Sequence, residues 1–161
     1  MEAVIEKSQY EIERGKPMPS KNHAYIQSKI IKVIFKKYDD DFEVLSELSL
    51  NINGRDKIPD LAIYKEIDYT PGEDEIRVSQ LPLAVVEILS PKQTITDLII
   101  KSNDYFEAGV QSYWLVLPDL KTIYVYSAKG EYEVYAKTDL LKDLKLGIEL
   151  DLGEVFKVKK K

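Results

Sequence analysis

The chain has 161 residues, with 23 Lys+Arg against 28 Asp+Glu for a formal net charge of −5, and it is 44% hydrophobic and 32% charged. Such a chain is globular rather than disordered, and its length suits a single domain over residues 1–161 with a core that needs no staples. The absence of cysteine excludes disulfide frameworks, thiolate zinc sites and cysteine nucleophiles, and a single histidine, His23, excludes a multi-histidine metal site.

Residues 1–19 are polar and end in Lys16-Pro17-Met18-Pro19, which predicts an extended segment before a helix. Ser20 then caps a helix to about Tyr38, with Ile26, Ile30, Val33, Ile34 and Phe35 at helical spacing and Asp39-Asp40-Asp41 at its end. Residues 42–52 read as a strand that ends at the turn pair Asn53-Gly54, and residues 57–64 as the returning strand. Residues 65–80, with Thr70-Pro71-Gly72, form a loop. Residues 81–89 are almost continuously apolar, which predicts a strand covered on both faces. Thr94 or Thr96 caps a second helix over 95–108, stopped by Gly109. Strands follow at 112–117, 122–127 and 131–136, then a mixed tail over 140–156 and a basic end, 157–161. The order predicts the α/β or α+β class, a central mixed sheet flanked by helices. No apolar run reaches the length of about twenty that a spanning helix needs. Met1 opens no signal-peptide pattern, so the expectation is a soluble, cytoplasmic protein with no membrane partner.

Two acids stand inside apolar strands: Asp60 in Ile58-Pro59-Asp60-Leu61-Ala62-Ile63, and Glu87 between Val86 and Ile88. A buried ionised carboxylate costs several kcal/mol, roughly, unless positive charge compensates it. Either acid alone reads as well as a strand-end residue in solvent or a partner for lysine. Together they repel unless a divalent cation lies between them, and oxygen-only ligation favours Mg²⁺ or Mn²⁺ over zinc. Lys101 shares a helix face with Asp97 and Tyr105. That spacing fits a surface ion pair, but the short connection folds this helix back beside the apolar strand, within reach of its end.

The ordered set Pro59-Asp60, Val86-Glu87-Ile88-Leu89-Ser90-Pro91, Asp97 with Lys101 and Tyr105, Gly109-Val110 and Tyr113-Trp114-Leu115-Val116, preceded by His23 and the isoleucines of the first helix, resembles the PD-(D/E)XK nuclease superfamily. More closely, it is similar to a bacterial family of restriction-endonuclease-like domains, over nearly the whole chain. The resemblance implies a restriction-endonuclease-like fold, a Mg²⁺- or Mn²⁺-dependent hydrolysis of DNA leaving a 5′-phosphate, and a homodimer. It implies metal ligation by Asp60, Glu87 and the Ile88 carbonyl. One departure stands out: the superfamily places lysine two residues after the glutamate, where this chain has Leu89. In the family it resembles, a lysine of the following helix substitutes, which maps onto Lys101, with Lys92 as the fallback. Without that lysine the expectation is a nucleic-acid-binding or assembly module that does not cut.

Other residues carry two readings each. Glu47, on the strand before Asp60, is a third acid for the metal or a solvent-facing side chain. His23, at the positive end of the first helix, contacts phosphate, scaffolds an acid, or packs; Gln27 is one turn further on the same face. Asp97 and Tyr105 are accessory candidates. Lys29, Lys32 and Lys36 form a basic stripe, suited to phosphates or merely solvated. Trp114 reads as core. Ser90 lacks the turn of a serine hydrolase, and a glycosidase using Asp60 and Glu87 would need aromatic sugar subsites that the sequence does not show.

Overall fold

The computed structural model describes residues 6–14 and 18–159; the predicted Lys16-Pro17 and the last two lysines of the basic end lie outside them. The helices are α1 (Gln9–Arg14), α2 (Lys21–Tyr38), α3 (Ile95–Ala108) and α4 (Leu152–Val155). The strands are β1 (Glu43–Ser46), β2 (Leu50–Ile52), β3 (Arg55–Lys57), β4 (Leu61–Tyr64), β5 (Ala84–Ile88), β6 (Ser112–Leu117), β7 (Thr122–Ala128), β8 (Glu131–Ala136), β9 (Leu140–Asp143) and β10 (Ile148–Asp151).

Six strands form one sheet in the order β1-β4-β5-β6-β7-β8. Only β5 and β6 are parallel within it, and α3 supplies the crossover that a parallel pair requires. Every residue of β5 is buried, as a nearly continuous apolar run predicts for a strand with both faces covered. Alternation along β5 divides the core. Ala84, Val86 and Ile88 face a layer with Ile26, Ile30 and Ile34 of α2 and the β9–β10 hairpin. Val85 faces a layer with Leu98 and Tyr105 of α3 and Tyr113 of β6. Glu87 therefore points to the α3 side.

The two long helices begin and end where their caps dictate. Ser20 accepts the His23 N–H at 3.2 Å at the start of α2. At α3, Thr94 and Asp97 form a reciprocal capping box, and Gly109 closes the helix at φ 105°. The predicted hairpin is present but broken. Asn53 and Gly54, both at positive φ, turn β2 into β3 as a primed turn demands, while Glu47 at φ 55° separates β1 from β2. The hairpin register nevertheless runs unshifted across the break, with Leu50 opposite Lys57 in β2–β3 and Ser46 opposite Leu61 in β1–β4.

Two features differ from the sequence reading. The amino-terminal segment, expected to be extended, contains the short helix α1. It is capped by Ser8 and Glu11, whose side chains and backbone N–H groups pair reciprocally at 3.2 and 3.0 Å. Glu11 also accepts the Met18 N–H at 2.9 Å, and these N–H groups, Met18 first, hold its carboxyl below the usual range.

The second feature is a buried acid that the sequence reading passed over. Asp143 is 1% exposed and accepts from the Ser112 hydroxyl (3.0 Å), the Trp114 indole (2.7 Å) and the N–H groups of Lys145 and Leu146 (3.0 and 3.1 Å). These donors fasten the β9–β10 turn to the middle of the sheet. Asp143→Ala would leave buried donors without an acceptor and is expected to lower stability by about 3 kcal/mol or more, read as the shift of a urea unfolding curve.

Candidate active site

Asp60 immediately precedes β4 at the point where the β4–β5 ladder ends; the last paired residues are Leu61 and Val86. Its carboxylate occupies the gap where the ladder ends. One oxygen, Oδ2, accepts the Ile88 N–H at 2.7 Å and lies 3.1 Å from His23 Nε2. The Asp60 backbone carbonyl accepts from the Gln27 amide at 3.1 Å and from the Glu47 N–H at 3.1 Å. His23 and Gln27, one turn apart on α2, thus grip both ends of Asp60. The positive φ of Glu47 belongs to the kink that brings its backbone to the same carbonyl.

Glu87 is 1% exposed and Asp60 is 2% exposed, so both acids are buried. On the α3 side the Tyr105 hydroxyl donates to Glu87 Oε1 at 3.5 Å, and Lys101 Nζ lies 3.9 Å from Oε2. The Lys101 side chain is 29% exposed, which places its ammonium at the boundary between the acid and solvent. Burial first, and the Glu87 and Asp60 charges next, push the Tyr105 hydroxyl well above its ordinary pKa of 10.0. Burial and the Glu87 charge do the same to Tyr113, whose hydroxyl donates to the Leu98 carbonyl at 2.7 Å and secures α3. Both phenols are therefore neutral donors throughout the physiological range. Leu89 packs against the α3-side core, leaving the usual lysine position apolar.

The structure brings Asp60, Glu87, Ile88, Lys101, Tyr105, His23 and Gln27 together, with Glu47 joining through its backbone. Other candidates are placed elsewhere. Asp97 is exposed and closes the α3 capping box. Lys92, the fallback amine, lies 3.8 Å from Glu11. Lys29, Lys32 and Lys36 fall on the opposite side of α2 from His23 and Gln27 at about 100° per residue. Lys36 is paired with Glu154 at 2.9 Å. Trp114 is fully buried, as expected of core. Glu11 is an anchor of the amino-terminal segment, and Ser8-x-x-Glu11 is a legible capping signature for it.

Among the described residues no three His, Cys, Asp or Glu side chains converge as a metal cage. The donor set is two carboxylates, plus the Ile88 carbonyl. A strand residue sends its N–H and C=O to the same edge, so that carbonyl faces the gap that Asp60 fills. Such a sparse oxygen set fits Mg²⁺, which keeps several of its waters. A cavity of about 520 Å³ opens on the His23 side, walled by His23, Leu89, Ser90, Gln93, Leu117 and Leu120 among others, with neither carboxylate in its lining.

The Uma2 family, described as "Putative restriction endonuclease", matches residues 5–153. The chain belongs to this family. A solved structure described as a putative nuclease belonging to DUF820, from Anabaena variabilis, is similar with a TM-score of 0.74 and 27% identity, over 87% of this chain and 83% of that one. A DrdV–DNA complex has a TM-score of 0.40 and 11% identity, over 70% of this chain and 12% of that one. No curated protein matches. The fold of the Uma2 chain is that of a restriction-endonuclease-like nuclease, and among the described residues no helix is long and apolar enough to cross a membrane.

The buried phenols give a measurable consequence. An unfolded tyrosine releases its proton near pH 10, whereas Tyr105 and Tyr113 keep theirs in the fold. Their contribution to stability is complete below pH 10 and is lost as pH climbs above it, by about 1.4 kcal/mol per pH unit for each. Tyr105→Phe is expected to make the alkaline decline shallower by one such share, measured by urea unfolding across the alkaline range.

Proposed function

We propose that the chain is a metal-dependent nuclease that hydrolyses phosphodiester bonds of DNA. The observation that carries this reading is the Lys101 ammonium 3.9 Å from a buried Glu87, on the helix after the glutamate strand. Leu89 leaves no amine two residues beyond Glu87, and Lys101 comes to the same carboxylate from a different backbone position. Membership of the family and the likeness to a nuclease fold support the class of reaction.

Asp60 and Glu87, with the Ile88 carbonyl, would hold Mg²⁺ or Mn²⁺, which would supply charge for the scissile phosphate and an acidified water. The chain's own residues do the rest. Ile88 N–H and His23 fix one oxygen of Asp60, so the carboxylate need not reorient when it binds a cation. Tyr105, a neutral donor, fixes Glu87. Lys101 orients the attacking water or neutralises charge growing on the phosphate oxygens. We also propose a homodimer, as the superfamily resemblance implies, which light scattering of the purified chain would test.

One observation favours a second reading. Leu89 occupies the usual lysine position, and a site that Lys101 fails to complete would bind nucleic acid without cutting it. Nicking of supercoiled DNA separates the two. The nuclease reading expects Mg²⁺- or Mn²⁺-dependent nicking that Asp60→Ala and Glu87→Ala abolish, together with loss of Mn²⁺ uptake by calorimetry. Lys101→Met is expected to keep Mn²⁺ uptake and to lower the cleavage rate by about 10²–10³-fold. Binding without cleavage by the parent chain in both metals selects the second reading. No metal uptake by the parent, or unimpaired cleavage by Lys101→Met, overturns the first.

A further inference from the structure

A second basic feature lies at the start of α2, apart from the stripe of Lys29, Lys32 and Lys36. The cavity walled by His23, whose ring reaches Asp60, shares Lys21, Asn22 and Pro118 with a second cavity of about 500 Å³ that opens beyond the start of α2. This second cavity is lined by Lys21, Lys121, Lys157 and Lys159, by Tyr25, and by an apolar floor that includes Ile26 and Phe156. Its lining holds four lysines and no acid, on a protein whose net charge is −5. Tyr25 is 46% exposed, and Lys29 Nζ stands 5.5 Å from its ring centre. The lysines come from three separate stretches: the first turn of α2, the residue after the Pro118–Leu120 turn, and the segment after α4. One acid, Asp119, stands on the wall of the first cavity, and Glu154, in the helix before Lys157, is paired with Lys36.

A cationic trough with an exposed aromatic ring has the two elements that bind a single strand, phosphates tracked by lysine and a base stacked on a ring. We propose that this trough carries one strand of nucleic acid away from the acid pair, with phosphates on Lys21, Lys121, Lys157 and Lys159 and a base on Tyr25. The inference rests on the nuclease reading only for what lies at the trough's inner end. Charge selects the occupant: an acidic protein concentrates lysine here, and a polyanion gains most from it. The outward direction follows from the shared wall, because His23 and Leu89 line the inner cavity and Lys21 lines both.

The test is fluorescence anisotropy of a labelled single-stranded oligonucleotide with the full chain, in EDTA so that nothing is cut, across a salt series. The triple variant Lys121→Ala, Lys157→Ala, Lys159→Ala is expected to bind at least about 10-fold more weakly at moderate salt. The slope of log affinity against log salt should shrink by about 2, since each lost phosphate contact on a single strand removes about 0.7. Tyr25→Ala is expected to weaken single-strand binding by about 10-fold with an unchanged slope, and Tyr25→Phe to restore it. A control triple outside the trough, Lys65→Ala, Lys129→Ala, Lys145→Ala, should bind like the parent.

The proposal is overturned if the trough triple binds with the parent's affinity and slope, or if the control triple loses as much. It is also overturned if the parent binds duplex more tightly than single strand and Tyr25→Ala changes neither. Metal uptake and nicking by the parent are read separately. Their absence would end the nuclease reading while leaving the trough result standing, and a trough triple that binds normally would end this inference while leaving the nuclease reading intact.

Discussion

The site depends on how one carboxylate is held inside a sheet. Asp60 sits where the β4–β5 ladder stops, and the Ile88 N–H, which would otherwise lack a strand partner on that edge, is satisfied by Asp60 Oδ2 at 2.7 Å. That bond does two things at once. It repairs the backbone hydrogen bonding at the end of β5, and it sets an acid beside the residue that follows Glu87. His23 and Gln27 then fasten α2 to the same residue, so the first helix, the sheet and the acid pair form one unit.

Asp143 shows why burial alone does not reveal chemistry. It is as deeply buried as Glu87, yet its partners are neutral donors from a side-chain hydroxyl, an indole and two backbone amides, and its work is to hold a turn. Glu87 instead has a phenol on one oxygen and an ammonium near the other, at the border with solvent. The two acids also differ in sequence context. Glu87 interrupts an apolar strand, whereas Asp143 stands among alternating polar and apolar residues, and only the first pattern signals a cost that something must offset.

Much of this is legible in the sequence. Helix α3 could be read to its ends because Thr94, Asp97 and Gly109 each impose a local geometry, and its short connection to β5 placed Lys101 near Glu87. Strand β5 announced itself by apolar continuity. What was hidden depended on contacts distant in sequence. The break at Glu47 follows from a backbone conformation that its residue type does not demand. The pairing of Lys36 with Glu154 and of Lys92 with Glu11 joins segments that no spacing rule connects. Helix α1 was a different omission: its capping box was present in the sequence but marked only a six-residue element.

The cap of α2 has a consequence beyond helix formation. Ser20 holds the N–H of His23, and the ring of His23 holds Asp60. Glu87 and Lys101, by contrast, belong to one continuous strand–helix segment. Fraying of a single turn near residue 20 would therefore slacken one acid while its counterpart stayed in place. Loss of competence through such local opening would precede any melting of the sheet, and would escape a probe of global unfolding.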